Sequence, residues 1–533
     1  MKKFLEEHKD TILVILLIAF LGIIYFSYNI TTTWDTSEYL GLADYIGTEE
    51  MAEKWIGHRG IAFPLLLRLF KPFGIENNIF MLILMFIFYV SMIIIIYKIY
   101  KKLREHEFFK SKITKCIFAI YTIFTIILNP IIFGYYHTLL TEFVSMTIAL
   151  LMCYLSWKWI DLTWKENKKS IIIYGIIFSL LTIFLYHTKQ SLVPLAILPI
   201  LTATILSVIN NFKLKNILTK TITILSTIIM LIVSISIWNF TMKKANVAGN
   251  TEKARVNGYL IKSIVEIKQI CNEETINDIE LDRSLISSKD NDEIDKILSN
   301  ESEYERFTIY KASNEKYLVY YTKGSYSSKE DIGFYLKVLC NSPADIAKSY
   351  YKNYWKIIFS NKDLPIWIGM ENYTIPYRIY QHKENVVDVN EEYEQYIENY
   401  RSMNKTKMVS KQFSKYANIV LKIITSFTKI SLWILPITWL ISIIVYIFIN
   451  RKVSKNTLKI LQFIVILYTT SFGGIMSYIM FSAKVDRYTV PMMIPTFIAH
   501  FLSVGLLSKN MIEYVKMKKQ SSKEAKWVKL KKW

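Results

Sequence analysis

The sequence predicts an all-α membrane protein: a polytopic bundle of about ten transmembrane helices with interfacial helices and a mostly helical extracytoplasmic domain. Three observations predict it. Hydrophobic residues make up 52% of the 533-residue chain, and the mean hydropathy is positive. The apolar residues gather into runs near the roughly 20 residues that a helix needs to cross a hydrocarbon core about 30 Å thick. Lysine and arginine collect in alternate connections between these runs, the pattern that sets the direction of membrane helices.

In chain order the runs place spans at 11–29, 79–97, 114–134, 139–157, 170–186, 191–210, 218–240, 429–450, 459–480 and 491–508. Lys2, Lys3 and Lys9 precede the first. Lys98 to Lys115 separate the second and third, and Lys158 to Lys169 follow the fourth. Lys213 to Lys220, then Arg451 to Lys459, and a lysine-rich tail from Lys509 to Lys532 complete the series. With ten spans all of these lie on one face, which the positive-inside rule makes cytoplasmic, together with both termini. The net charge of +21 is therefore a signal of topology in the cell membrane and not of nucleic-acid binding. The basic tail is also suited to anionic lipid, at roughly 1 kcal/mol per basic residue near the surface.

The first run is too long for a cleaved signal peptide and lacks a small-x-small site before Thr31, so it is expected to remain as a span. The chain then divides into a transmembrane core, 1–240, with an external loop at 30–78; an extracytoplasmic domain, 241–416; C-terminal transmembrane helices, 417–508; and a cytoplasmic tail, 509–533. The external domain holds few Gly or Pro, and Val265 to Leu298 reads as helical. Ser342-Pro343-Ala344-Asp345 has the chemistry of a helix start. The helix it opens, with Tyr350, Tyr354, Trp355 and interleaved lysines, suits either the headgroup layer or the surface of its own domain. Four cysteines are too few for a disulfide scaffold. Cys116 and Cys153 read as packing residues, while Cys271 and Cys340 are both outside the membrane, where a bridge is chemically allowed.

Threaded this way, every cluster of unusual polar residues falls on the outer face: Trp34-Asp35-Thr36-Ser37-Glu38-Tyr39, Thr141-Glu142, His187-Thr188-Lys189-Gln190 and Asp486-Arg487-Tyr488. The first external loop adds Asp44, Glu49, Glu50 and Glu53 to Asp35 and Glu38, with Asp35 nearest the membrane. A helix from Asp35 to Ile46 would put Glu38, Leu42 and Tyr45 on one face and Tyr39, Leu40 and Ala43 on another.

These clusters resemble a family. Trp34-Asp35-Thr36-Ser37-Glu38-Tyr39-Leu40 resembles the Asp-Ser-x-x-Tyr pattern after the first span of GT-C glycosyltransferases, in the branch of protein O-mannosyltransferases and bacterial aminoarabinose transferases. His58-Arg59-Gly60-Ile61-Ala62-Phe63-Pro64 is similar to that branch's Arg-Gly-x-x-x-Pro segment. Thr141-Glu142, Asn341-Ser342-Pro343 and Arg487-Tyr488-Thr489-Val490-Pro491 follow in the family's order. The resemblance implies a GT-C-like fold and a polyprenyl-phosphate sugar donor used on the extracytoplasmic face. It also implies an external glycan, lipid or protein acceptor, inversion at the anomeric carbon, and a base at Asp35. Two departures are Lys189 where an arginine often follows the fifth span, and Ala62-Phe63-Pro64 in place of Gly-Tyr-Pro.

The chemistry of such a transfer can be matched to residues directly. An acceptor hydroxyl is a poor nucleophile, and a placed carboxylate taking its proton typically contributes about 10² to 10⁴ in rate; Asp35 has the position, with a solvated acidic loop as the plain alternative. A lipid phosphate leaving group needs cations beside it, and Arg59, Lys189 and Arg487 are the candidates. Arginine grips two phosphate oxygens whereas lysine acts as a point charge. Interfacial anchoring is the alternative for Arg487 and Lys189, and pairing with the acidic loop for Arg59. Glu142 opens an apolar helix, where it reads either as a second acid positioning substrate or as a charge on the helix dipole. Glu38, Tyr39, His58, His187, Gln190 and Tyr488 complete the substrate-binding set. His58, His137 and His187 share the outer face and could join Asp35 and Glu142 around a divalent cation, an alternative that no ligand spacing supports. A polysaccharide polymerase or ligase, a lipid-linked sugar flippase or transporter, and a non-enzymatic sensor are the competing classes. The first should show a loop rich in paired arginines, the second ionisable residues near the span centres.

Overall fold

The computed structural model describes residues 2–26, 34–49, 51, 60–70, 78–105, 109, 111–164, 168–210, most of 221–240, two strands between 304 and 322, scattered helical positions from 347 to 358, and 411–450, 453–481 and 486–508; in parts of these ranges only the backbone is described. The helices are α1 (Lys2–Tyr25), α2 (Trp34–Tyr45), α3 (Ala62–Arg68), α4 (Asn78–Leu103), α5 (Lys112–Thr122), α6 (Pro130–Tyr135) and α7 (Thr141–Trp164). They continue as α8 (Lys168–Thr188), α9 (Val193–Asn210), α10 (Ile224–Ile237), α11 (Lys411–Ile449), α12 (Lys455–Phe481) and α13 (Val490–Ser508). Ile79–Leu103, Thr141–Leu162, Ser426–Ile449, Asn456–Ile479 and Val490–Ser508 are long and apolar enough to cross a membrane. Asp10–Tyr25, Ile172–Thr188, Val193–Ile209 and Ile224–Ile237 are shorter apolar helices. This is the helix content of a multi-pass membrane protein.

The surface of α11 explains why water is the wrong solvent for this bundle. Ile423, Phe427, Ile430, Trp433, Ile437, Ile441, Ile444 and Phe448 recur every three or four residues and are all exposed, so they form one largely open apolar stripe, with ring contacts at Phe427 and Trp433. Beside hydrocarbon such a stripe needs no partner. Helix α7 is the opposite case, buried along nearly its whole apolar length, and it packs against α4, α8, α9 and α12.

Apolar side chains gain little by leaving lipid for protein, so close approach and interhelical hydrogen bonds must hold the bundle together. Gly473 and Gly474 let α12 meet α9: a Cβ at either would press into Leu198 or Leu195. Tyr446 donates to the Leu206 carbonyl at 3.2 Å and Trp439 Nε1 to Thr469 Oγ1 at 3.2 Å. His500 bridges Tyr468 at 2.8 Å and the Ser431 carbonyl at 2.9 Å.

One expectation changes, and one stretch adds an element that was not expected. The apolar run at 114–134 is not one helix: α5 passes into a π turn, Ile123–Ile127, and stops before Asn129. Asn129 then caps α6 by accepting from Ile131 N at 3.0 Å and Ile132 N at 3.5 Å, with Pro130 at the first helical position. Hydropathy alone cannot register this break, because both sides of it are apolar. The stretch 241–416, expected to be mostly helical, contains among its described residues an antiparallel hairpin of β1 (Tyr304–Tyr310) and β2 (Lys316–Thr322), in the register Tyr304 opposite Thr322. Val265 to Leu298, Cys271, Cys340 and the Ser342-Pro343 helix start lie outside the described residues.

Further on, Tyr354, Ile357 and Ile358 are helical and buried, while Tyr351 is exposed. Tyr354 donates to the Leu432 carbonyl of α11 at 2.7 Å, and Trp355 meets Trp433 with ring centres 5.8 Å apart. One face of this segment therefore packs on the membrane helices themselves.

Charged residues mark the two ends of the bundle. At one end Asp10 of α1 pairs with Arg104 just past α4, and Asp161 of α7 pairs with Lys102 of α4 and Lys459 of α12. Glu142 lies at the other end of α7. The rise of an α-helix separates Glu142 from Asp161 by roughly 28 Å, close to a hydrocarbon thickness.

Candidate functional site

The site is assembled at the Glu142 end, where four separate stretches of chain meet. Helix α2 arrives first. Thr36, fully buried, donates from Oγ1 to the Leu139 carbonyl at 3.1 Å, which pins the first turn of α2, and with it the backbone of Asp35, beside the turn that opens α7. Tyr39, Leu40, Leu42 and Ala43 are all buried, so the apolar side of α2 is wider than the face expected of Tyr39, Leu40 and Ala43. Tyr39 meets Phe63 edge to face at 4.8 Å, and Phe63 meets Phe143 at 5.8 Å. These contacts lock α2, α3 and the start of α7 together around aromatic rings.

Gly60 brings in the next stretch. A Cβ at this position would overlap the carbonyl oxygen of His187. Main chain therefore lies against main chain, and only glycine permits it. Residue 60 is thereby joined to the end of α8.

Past Thr188 the chain turns into a 3₁₀ segment, Gln190–Leu192. Lys189 N donates to the Leu185 carbonyl at 2.9 Å, and Leu192 N to the Lys189 carbonyl at 2.9 Å, so the backbone of Lys189 is fixed from both sides. Its ammonium lies 3.8 Å from Glu142 Oε1 and 3.6 Å from the centre of the Tyr488 ring. Tyr488 belongs to a 3₁₀ turn, Asp486–Thr489, that leads into α13, and it stacks on Tyr478 of α12 at 4.9 Å and 18°. Glu142, in the first turn of α7, is 3% exposed and accepts from Thr141 Oγ1 at 3.3 Å.

The electrostatics follow from these distances. A unit pair at about 4 Å attracts by roughly 4 kcal/mol at an effective dielectric of 20, and removing both charges from water offsets much of that. The helix N-terminus contributes a few tenths to about 1 kcal/mol toward ionised Glu142. At 3.8 Å the ammonium is compensated in charge without a closed hydrogen bond to the carboxylate. The aromatic face and the carboxylate together hold the cation in place.

Of the residues expected to act here, Tyr39, Glu142, His187, Lys189 and Tyr488 have described side chains, and Glu142, Lys189 and Tyr488 are in mutual contact through Lys189. His187 is buried at the end of α8. The side chains of Asp35, Glu38, Gln190 and Arg487, and all of His58 and Arg59, lie outside the described residues. His137 does not join the cluster. Its Nδ1 faces the Phe133 carbonyl at 3.0 Å and its Nε2 the Tyr25 carbonyl at 3.0 Å; burial pushes its pKa down to about 4, so the neutral ring donates its one N–H to one of these carbonyls and helps fix the turn before α7. Among the described residues no three His, Cys, Asp or Glu side chains are grouped to hold a metal ion. Tyr478, missed in the sequence, gave no signal there because its partner is reached only through the fold. No family model matches the chain, and no curated protein or solved structure matches it either.

Proposed function

We propose that this chain is a GT-C-type membrane glycosyltransferase that moves a sugar from a polyprenyl phosphate to an acceptor outside the cytoplasm. The observation that carries this reading is Lys189 held between Glu142 and Tyr488. Beside that cation the start of α2 and residue 60 are brought against the same helix ends. Residues from motifs far apart in sequence, each short alone, meet at one end of the bundle, and this supports the reading.

In this reading the acceptor hydroxyl attacks the anomeric carbon from the face opposite the phosphate. The carbon–oxygen bond to the phosphate breaks, and the configuration inverts. Asp35 receives the hydroxyl proton, and polyprenyl phosphate leaves carrying the bond's electron pair. Lys189, with Arg59 and Arg487, compensates the charge that grows on the phosphate. Glu142 keeps Lys189 in place before donor arrives, and Tyr488 supports it through its ring. Glu38, Tyr39, His58, His187 and Gln190 border the sugar and acceptor.

The topology belongs to the same proposal: ten spans, both termini cytoplasmic, and residues 241–416 as the extracytoplasmic domain. It is supported by the charged ends of the bundle. Asp10, Lys102, Arg104, Asp161 and Lys459 gather where the lysine-rich connections begin, while Glu142 lies roughly a hydrocarbon thickness away.

The test uses the full-length protein in lipid nanodiscs with polyprenyl-phosphate sugars, and mass spectrometry of envelope glycans, lipids and proteins from cells with and without the gene. Glycan loss in the deletion strain and donor turnover that depends on Asp35 are expected. An Asp35→Asn protein with undiminished activity, or no change in any glycan, would end the proposal. Transport of intact lipid-linked sugar without transfer would favour the flippase reading instead.

A further inference from the structure

The inner end of the bundle holds a second, differently built cluster. Asp161 gives one carboxylate oxygen to each of two lysines: Oδ2 lies 2.6 Å from Lys102 Nζ and Oδ1 lies 2.9 Å from Lys459 Nζ. Trp157, one turn earlier on α7, shapes the space between them. Lys102 sits over its ring at 3.8 Å, its Nε1 donates to the Lys459 carbonyl at 2.9 Å, and its ring stacks on Phe463 at 4.1 Å and 10°. Lys158, the next residue, lies over the Tyr154 ring at 5.1 Å. Among the described residues, Asp161 is the one carboxylate within ion-pair range of Lys102 and Lys459.

Among the described residues the charges do not balance. Both oxygens of Asp161 face lysines, the ammonium of Lys158 is close enough to act on Asp161 and Lys102 through its charge, and Lys102 retains only 11% side-chain exposure. A cluster built only to tie helices together would be cheapest if neutral, because each uncompensated charge taken from water is costly. Its rigid aromatic frame fixes the lysines in position before any ligand arrives. It also lies where α4 and α7 end and α12 begins, the level of lipid headgroups.

We infer that Lys102, Lys158 and Lys459 form a binding site for the phosphodiester of an anionic lipid, with Asp161 spacing the lysines. Basic pockets between transmembrane helices recognise such headgroups. The phosphate brings the missing negative charge, and its acyl chains lie along the apolar helix faces. This site stands whether or not the opposite end transfers sugars.

The experiment measures thermal unfolding of the full-length protein, and lipid retained in native mass spectrometry, in nanodiscs of phosphatidylcholine, of phosphatidylcholine mixed with phosphatidylglycerol, and of phosphatidylcholine with added inorganic phosphate. Phosphatidylglycerol should raise the unfolding temperature and remain bound, while inorganic phosphate should do neither. Lys158→Gln, which leaves both ion pairs intact, and Lys459→Gln should each weaken phosphatidylglycerol retention by about fivefold. Asp161→Asn separates lipid binding from helix tying: it should lower stability in phosphatidylcholine yet keep or enlarge the gain from phosphatidylglycerol. The inference fails if wild type gains nothing from phosphatidylglycerol, if inorganic phosphate reproduces the gain, if Lys158→Gln and Lys459→Gln keep it in full, or if Asp161→Asn abolishes it.

Discussion

Lys189 and Glu142, 47 positions apart in the chain, face each other at 3.8 Å, with the lysine also lying over Tyr488. The lysine directly follows α8 and the glutamate is in the first turn of α7, so their meeting records how adjacent ends of two antiparallel helices converge. A cation that compensates a carboxylate without bonding it can be drawn to a phosphate at small geometric cost. Lys189→Ala should weaken donor binding by about tenfold or more, since a hydrogen bond to a charged group contributes about 1.5 to 3 kcal/mol. Lys189→Arg should restore most of it. Titration calorimetry with a polyprenyl phosphate checks this, and unchanged affinity in the alanine protein would remove Lys189 from the site.

The Glu142–Lys189 pair should also be energetically coupled. A double-mutant cycle with Glu142→Gln and Lys189→Met, read by thermal unfolding, is expected to give an interaction of about 0.5 to 3 kcal/mol, the range for residues in contact. Strict additivity would mean that the two charges do not sense each other.

Asp35→Asn should reduce turnover by about 10² to 10⁴ while donor affinity stays near wild type. Single-turnover kinetics separate the two, and a loss confined to binding would reassign Asp35 from proton acceptor to donor ligand.

His137 gives a pH dependence of defined sign. Burial holds its pKa at about 4, below the ordinary value near 6.5, so the folded protein binds fewer protons than the unfolded chain between those values. Its contribution to stability is whole above about pH 6.5 and falls as pH drops toward 4, with a slope approaching about 1.4 kcal/mol per pH unit. Unfolding measured from pH 7.5 to 4.5 should flatten in a His137→Gln protein. An identical slope in both would show that other groups set the acid sensitivity.

Asn129→Ala removes the α6 cap, a cost of about 0.5 to 2 kcal/mol, and also the contacts its Nδ2 makes with the Thr125 carbonyl at 3.0 Å and Thr428 Oγ1 at 3.4 Å. Asn129→Asp, which keeps the capping oxygen, should lose less. Equal losses would place the effect in the amide contacts and not in the cap.

These residues show which features could be read in advance. Apolar runs mark the helices that contain Ile79–Leu103, Thr141–Leu162, Ser426–Ile449, Asn456–Ile479 and Val490–Ser508, and polar residues at the ends of apolar runs point to Glu142, Lys189 and Tyr488. The break at Asn129 was hidden because its flanks are equally apolar. The start of α11 at Lys411, well before the apolar run at 429–450, was missed because amphipathic turns outside the membrane do not raise hydropathy. In sequence, Lys102, Lys158 and Lys459 read only as topology markers. Their convergence on Asp161 depends on three helices ending at the same level, which no local pattern records. The Tyr354 bond to Leu432 is likewise a contact across 78 positions with no periodic trace.

The seam between Gly60 and His187 has a practical consequence. It is stitched from backbone on both sides, so it does not depend on which side chain occupies position 187. Swapping that imidazole for alanine leaves the loop fastened, and any defect that results reports on the ring alone. Adding a methyl at position 60 unpicks the fastening and leaves the imidazole untouched. Attachment and chemistry can thus be engineered one at a time.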